Sequence, residues 1–426
     1  MVEGFISAID AAASAATKGT LRDFQEADRI TISSTNDDII VSAFGGRLGI
    51  KTTVSNNIFA NLNYHCKNEG KVTVNAKDMM KVLESFIPEE TVIFQTKKNT
   101  DSSNIVNELC ITMLNDAEQY QTLPCYDTHV NLPEVASSFL KTIEIGKDAF
   151  IYGVNKVIFA AGNERTKPLY LNVLLSSSDD EIKFSAGTGS RHVLLYMDGK
   201  KIVKANPKKT SILIPKDALS VFTHVLNNVK SDVITIKESD RKGNAPFQIV
   251  VECGEQQMVL VGLDSSLKWV DESPILDIDY PNKFVTRLSD WSYASKGTHA
   301  TFNEQFKREG SIHKAQLDID LAKKQLFVKT NAAMRSSRKV TIIDHKFGDE
   351  SEVDYSCVSS YLQEISSIVD NDEGFVQIEL MKATKPIIVY HYASKKITED
   401  TNDIRKEDEG NGFSERLIMI FGTYSS

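Results

Sequence analysis

The stretch KVTVNAKDMMKVLESFIPEETVIFQ, residues 71–95, reads as a strand, an amphipathic helix and a strand, and SILIPKDALSVFTHVLNNVKSDVITIK, residues 211–237, repeats that order. A third copy, EVDYSCVSSYLQEISSIVDNDEGFVQIEL, spans residues 352–380. The copies stand about 140 residues apart, far beyond the ~20–50 residue units that stack into solenoids, so each copy belongs to a domain of its own. Upstream of each lies another helix-like segment: FISAIDAAASAATKG from Phe5, FIYGVNKVIFAAG from Phe150 and FVTRLSDWSYASKG from Phe284. Phe5, Ile9, Ala12 and Ala16, and likewise Phe150, Val154, Val157 and Ala161, recur at the spacing of one buried helical face. Gly19, Gly162 and Gly297 fall where a helix would end. Alternating strand-like segments follow each first helix. The repeat therefore predicts an α+β chain in which each domain packs two helices on antiparallel sheet.

A chain of 426 residues suits two or three domains, and polar, turn-rich segments near 134 and 273 divide it into residues 1–134, 135–273 and 274–426. The charged stretch KKITEDTNDIRKEDEGNGFSE, residues 395–415, breaks the repeat and reads as a loop. With 41% hydrophobic and 25% charged residues the composition is that of a globular protein. No apolar run reaches the ~18 residues that cross a bilayer, and the N-terminal segment has an acid at Glu3 and no basic region, which points to the cytoplasm. A net charge of −9 argues against a surface that binds nucleic acid everywhere and leaves room for a local basic face.

The usual marks of catalysis are absent. The eight histidines show no H-x-x-x-H or H-x-H spacing, and the five cysteines form no C-x-x-C pair and read as reduced, packed thiols. AGTGSRH, residues 186–192, has glycines but no P-loop lysine and lies between strands instead of before a helix. No G-x-S-x-G elbow occurs. The sequence thus predicts no catalytic residue, no metal, no cofactor and no enzymatic activity.

The strand leading into the helix at 71–86, Tyr120 followed by QTLP, LYLNVLL, GTGSRHVLL and ILIPKDAL occur in an order that resembles the bacterial DNA polymerase III beta subunit, the sliding clamp family. The likeness covers nearly the whole chain and rests on order and spacing. It implies a DNA clamp fold of three similar domains, a ring closed by two chains head to tail, and duplex DNA enclosed without regard to sequence. It also implies that the ring tethers a replicative polymerase and meets a clamp loader through short peptides. The repeat would then supply equal wedges of the ring. Lys18, Arg22, Lys77, Lys81, Lys147, Lys156, Lys216, Lys230, Arg287 and Lys296 lie on or beside the repeated helices, and Arg165 and Lys167 in NERTK resemble the family's DNA-contacting loops. Singly, each such lysine is what a solvated helix face carries; as a set they predict a basic lining.

The resemblance further implies a peptide groove. Carried over by position, it would include Leu171, Gly189, Ser190, Arg191, His192, Val270, Ser360 and the terminal strand Met419, Ile420, Phe421, Gly422 and Thr423. Arg191 would position the peptide and the terminal strand would form one wall. This chain departs from the family's usual proline-methionine-arginine-leucine ending, since it closes in LIMIFGTYSS, and has GSR where a histidine often precedes the arginine. Two other readings are a clamp-fold scaffold that does not load on DNA, and a hydrolase whose site assembles only in space.

Overall fold

The computed structural model describes residues 2–18, 27–55, 64–86, 91–99, 106–116, 118–163, 167–178, 181–240, 247–264, 266–309, 314–320, 323–330, 336–348, 354–368, 374–381, 385–392 and 416–422. The chain forms two compact units, residues 1–151 with 202–267, and 152–201 with 268–426. The expected middle segment, 135–273, therefore contributes to both. The charged stretch at 395–415 and Gly19 lie outside the described residues.

The first unit is built on a nine-stranded antiparallel sheet. Its order is Ile202–Asn206, Phe139–Gly146, Val233–Ser239, Ile249–Cys253, Gln256–Leu260, Leu48–Ser55, Asp38–Phe44, Arg29–Ser34 and Gly70–Asn75. The sheet passes without a break from the expected second domain to the first, where Gln256–Leu260 pairs with Leu48–Ser55 and Met258 faces Ile50. A separate sheet holds Val92–Asn99, Val106–Met113 and Tyr120–Pro124. Among the described residues, three helices belong wholly to this unit: Val2–Lys18, Ala76–Glu84 and Lys216–Asn227. In the first, Ala8, Ala11, Ala12, Ala15 and Ala16 are buried, and their small size lets the helix lie close to its neighbours. Ala76–Glu84 begins where the Asn75 side chain accepts from the amides of Lys77 and Asp78, and it buries Ala76, Met79 and Leu83 on one face.

The second unit repeats the plan. The strands that this unit itself gives to its main sheet run Asn172–Ser177, Glu181–Gly187, Arg191–Asp198, Arg416–Phe421, Ile387–Tyr392, Phe375–Leu380, Asn282–Arg287 and Asp344–Lys346. Here again the sheet crosses an expected domain boundary, because Arg191–Asp198 pairs with Arg416–Phe421. The smaller sheet runs Ser337–Thr341, Gln325–Thr330, Lys314–Asp320 and Asp354–Val358. Helix Leu288–Glu309 packs beside Ser359–Ile368, fixed by fully buried Trp291, whose indole N–H donates to the Leu362 carbonyl at 2.9 Å. Helix Lys147–Val157 spans the point where one unit gives way to the other.

All three strand-helix-strand copies fold as read. The upstream helices need two corrections. Phe284 lies in a strand, and its helix begins only at Leu288. Gly297 sits inside that helix, which continues to Glu309. Gly162 follows a short 3-10 turn, Ile158–Ala160. The periodicity is real, but an apolar strand running straight into a helix shares its first apolar residues with either period. Cys110, Cys253 and Cys357 are buried, and all five cysteines are free.

Candidate functional site

Within the second unit, the strands Glu181–Gly187 and Arg191–Asp198 are joined by the turn that GTGSR encodes, closed by the Thr188 amide donating to the Arg191 carbonyl at 2.7 Å. Gly187 is required here: a Cβ would stand 2.6 Å from the Arg191 carbonyl oxygen. Ser190 then makes two links. Its hydroxyl shares a hydrogen bond with the Tyr361 hydroxyl at 2.8 Å, and its carbonyl accepts from the Gly422 amide at 2.7 Å.

Arg191 does not project freely. Its guanidinium pairs with Glu364 and donates to the Phe159 carbonyl at 3.0 Å, with Phe159 and Tyr361 rings 5.8 and 5.2 Å away. The Glu364 side chain is largely buried, and this desolvation pushes its carboxyl up to about 7 although Arg191 pulls the other way. The network ties the turn to helix Ser359–Ile368. Arg191 therefore acts first as a tertiary tie; an added peptide contact would need part of this network to open.

Beyond the turn, His192 lies in a row of rings, 6.2 Å from Tyr170 and 6.2 Å from Trp269, edge-on to both. Behind it sits Glu272, almost fully buried. Its carboxylate accepts from Trp269 Nε1 at 2.5 Å and Ser185 Oγ at 2.9 Å and pairs with Lys183 Nζ at 3.0 Å. Burial holds the His192 imidazole below its usual range, against the pull of Glu272. The ring is thus neutral at pH 7, with its Nδ1 4.0 Å from the Glu272 carboxylate. Leu171 is half-buried, Ser360 is half-buried, and Gly189 and Val270 are exposed. The three rings, each half-buried, hold one neutral imidazole, and Leu171 and Val270 follow Tyr170 and Trp269 directly in the chain.

The terminal strand differs from expectation. Arg416–Phe421 is a central strand, paired on one side with Arg191–Asp198 and on the other with Ile387–Tyr392. Met419, Ile420 and Phe421 are all core residues, Ile420 packing with Leu194, Tyr280 and Ile388, and Phe421 stacking on Tyr361 at 5.6 Å. Buried in this way, their side chains do not wall an open groove. A strand hydrogen-bonded on both edges and covered on both faces has no side chain left for a ligand. Gly422 is half-buried, and Thr423 lies outside the described residues.

Among the expected DNA contacts, Lys77 and Lys81 are exposed on Ala76–Glu84, Lys81 pairing weakly with Asp78 at 3.5 Å. Lys167 is exposed and Lys216 half-exposed. Lys230, Arg287 and Lys296 are also exposed, whereas Lys147 Nζ donates to the Val229 carbonyl at 2.6 Å. Lys156 is a correction: it is buried, with its ammonium 5.0 Å over the Tyr152 ring, so it offers phosphate no open approach. Arg22 and Arg165 lie outside the described residues, and Lys18 closes the first helix. Tyr361, Glu364, Trp269 and Glu272 were missed. Glu364 and Trp269 carry no local mark, since an acid on a helix and a tryptophan in a linker acquire their roles only from partners distant in sequence. Among the described residues no cluster of three or more His, Cys, Asp or Glu could hold a metal, and no helix is long and apolar enough to cross a membrane.

No protein-family model matches the sequence, and no curated protein is significantly similar to it. Solved structures are similar over the full length. The DNA polymerase sliding clamp of Bacillus subtilis superposes with a TM-score of 0.75 at 12% identity, covering 100% of this chain and 98% of that one. The beta subunit of DNA polymerase from Streptococcus pyogenes gives 0.73 at 14%, and DNA polymerase III beta subunit from Thermotoga maritima 0.73 at 12%, with the same coverage. The chain has the α+β fold of these sliding clamps.

Proposed function

We propose that this chain is a DNA sliding clamp: two copies close head to tail around duplex DNA, hold it without reading sequence, and tether a polymerase. Each chain then contributes three domains, 1–134, 135–273 and 274–426, and has no catalytic role or cofactor. One observation carries the reading. The strand Leu48–Ser55 of the first domain pairs with Gln256–Leu260 of the second, and the corresponding Arg191–Asp198 of the second pairs with Arg416–Phe421 of the third. The same rule leaves one strand over at each end, Ser337–Thr341 of the third domain and Tyr120–Pro124 of the first. Both are sheet edges with mostly exposed residues. Edge strands left open invite pairing with another chain. A second copy satisfies both edges twice, in a closed two-fold assembly.

Duplex DNA inside such a ring would meet Lys77, Lys81, Lys167 and Lys216, joined by Lys18, Arg22 and Arg165, and not Lys156. Contacts of this kind attract phosphates in a sequence-independent, salt-sensitive way. Enclosure raises the effective concentration of a tethered polymerase at the primer end, so release is followed by rebinding. Polymerase and clamp loader peptides would lie over Leu171, His192 and Val270 beside Gly189, Ser190 and Ser360, where aromatic and apolar surface is rimmed by a few polar groups. Such a role places the protein in the cytoplasm with the replication machinery.

The test is topological. Loaded by the cell's own clamp loader onto nicked circular plasmid, the protein should co-elute with the circle and leave it once the plasmid is linearised. Affinity for a short linear duplex should be weak and fall steeply with salt. Tight, sequence-dependent binding to short linear duplex would overturn the reading.

A further inference from the structure

The first helix of each repeat can be placed on the others by its buried face. One constant shift along the sequence carries Phe5, Ala8, Ile9, Ala11, Ala12 and Ala15 onto Leu288, Trp291, Ser292, Ala294, Ser295 and Thr298, all of them buried. The same shift carries Asp10 onto Tyr293. Asp10 makes a defined contact. Its carboxylate meets His224 Nε2 at 2.7 Å, joining helix Val2–Lys18 to helix Lys216–Asn227 beside the Leu48–Ser55/Gln256–Leu260 strand junction. The position is thus one that reaches across from the first helix of one domain to the second helix of the next.

At the third repeat this position carries the most exposed large hydrophobic side chain among the described residues, Tyr293, 64% exposed. It is held ready. The Arg338 guanidinium lies 5.3 Å from the ring centroid and donates to the Tyr293 hydroxyl at 3.0 Å. Gly297 makes this possible, because a Cβ there would come within 3.0 Å of Arg338 Nε. Arg338 itself belongs to Ser337–Thr341, the strand edge that the repeat leaves open. A preordered tyrosine–arginine pair beside an unsatisfied sheet edge has the make-up of an interface anchor, since both residue types dominate binding energy at buried interfaces and little side-chain freedom remains to be lost.

The partner surface follows from the same register. Aligning Lys216–Asp217 with Lys77–Asp78 places the buried Ala218, Phe222 and Val225 on Met79, Leu83 and Phe86, and His224 on Ser85. Ser85 is exposed at the end of Ala76–Glu84, next to the exposed Glu84, whose charge complements Arg338. We propose that Tyr293 and Arg338 are the anchor on which a second copy of this chain seats the C-terminal turn of its helix Ala76–Glu84, with Tyr293 over Ser85 and Arg338 towards Glu84. This rests on the clamp reading and adds to it the residues that hold the ring shut.

The test combines cross-linking with sedimentation equilibrium on the full chain. A chain carrying both Tyr293→Cys and Ser85→Cys should oxidise to a covalent two-chain species, with neither single variant doing so. Tyr293→Ala and Arg338→Ala should each raise the dimer dissociation constant about 30-fold, the scale of a buried anchor, while Tyr293→Phe stays within about threefold by keeping the ring that carries most of the contact. Unchanged near-ultraviolet signal from buried Trp291 verifies that the variants fold. A wild-type dimer whose double-cysteine variant does not cross-link and whose dissociation constant ignores Tyr293→Ala overturns the anchor and leaves the clamp standing. Loss of DNA retention at an unchanged dimer constant also overturns it, assigning the pair to DNA. A wild-type chain that stays monomeric at tens of micromolar sinks both.

Discussion

Replacing Arg191 with alanine separates the tie between the GTGSR turn and helix Ser359–Ile368 into its parts. The substitution removes the ion pair to Glu364 and the 3.0 Å bond to the Phe159 carbonyl, and it uncovers the faces of Phe159 and Tyr361. Breaking a buried pair commonly costs about 3–5 kcal/mol because a charge is stranded. Here the loss is smaller, because the Glu364 carboxyl, already pushed up to about 7, can keep its proton. At pH 6 it is largely neutral with or without Arg191. The cost is then that of the charged bond to Phe159 and the lost packing, roughly 2 kcal/mol. At pH 8 the wild-type carboxyl is ionised beside Arg191, while the variant retains the proton, and the gap widens by up to about 1.4 kcal/mol for that one unit. Both tryptophans, Trp269 and Trp291, lie in the second unit, so their fluorescence reports its urea unfolding selectively. Destabilisation should be roughly 2 kcal/mol at pH 6 and roughly 3 at pH 8, and adding Glu364→Gln should abolish the difference. Equal losses at both pH values, or a double variant as pH-dependent as the single one, would refute the reasoning.

Glu364 alone makes a related prediction. Its folded value lies above that of the unfolded chain, so the stability it contributes is complete below about pH 4.5 and is lost as pH rises through about 7; Glu364→Gln should flatten that limb in urea titrations of the second unit. His192 has the opposite sign. With its folded value lowered by burial, the unfolded chain takes up the proton first and stability falls as pH drops below about 6.5; an NMR midpoint at or above 6.5 would contradict this. Gly153→Ala should destabilise by about 1–3 kcal/mol in thermal melts, because the new Cβ would stand 2.3 Å from the ring of fully buried Phe184. Trp269→Phe should cost about 1–3 kcal/mol by removing the 2.5 Å donor to buried Glu272, and an unchanged urea midpoint would show that linker contact to be idle.

The threefold plan was legible because it is written in short-range terms. Met79 and Leu83, or Phe222 and Leu226, lie within one or two helical turns of each other, and the stripe they form is buried in any context that gives the helix a sheet to cover. The tight turn at GTGSR was equally local, since Gly187 admits the close approach of the Arg191 carbonyl. Where local rules overlapped they misled: Phe284 continues a strand, and Gly297 serves as a seat for Arg338 inside a helix instead of ending it.

What the tertiary structure alone decided is how each polar group is occupied. Lys156 reads as one more basic residue on a helix, yet its surroundings bury it over Tyr152, while Lys77, with the same chemistry, stays open to solvent. Arg191 reads as a residue free to bind, yet Glu364, 173 positions away, holds it. Met419 and Phe421 read as the wall of a groove, yet strands from two different repeats close over both edges of theirs. Helical period and turn chemistry depend on neighbours within a few residues, so a sequence determines them by itself. The exposure and partners of a side chain depend on groups brought from far along the chain, and only the folded arrangement supplies those.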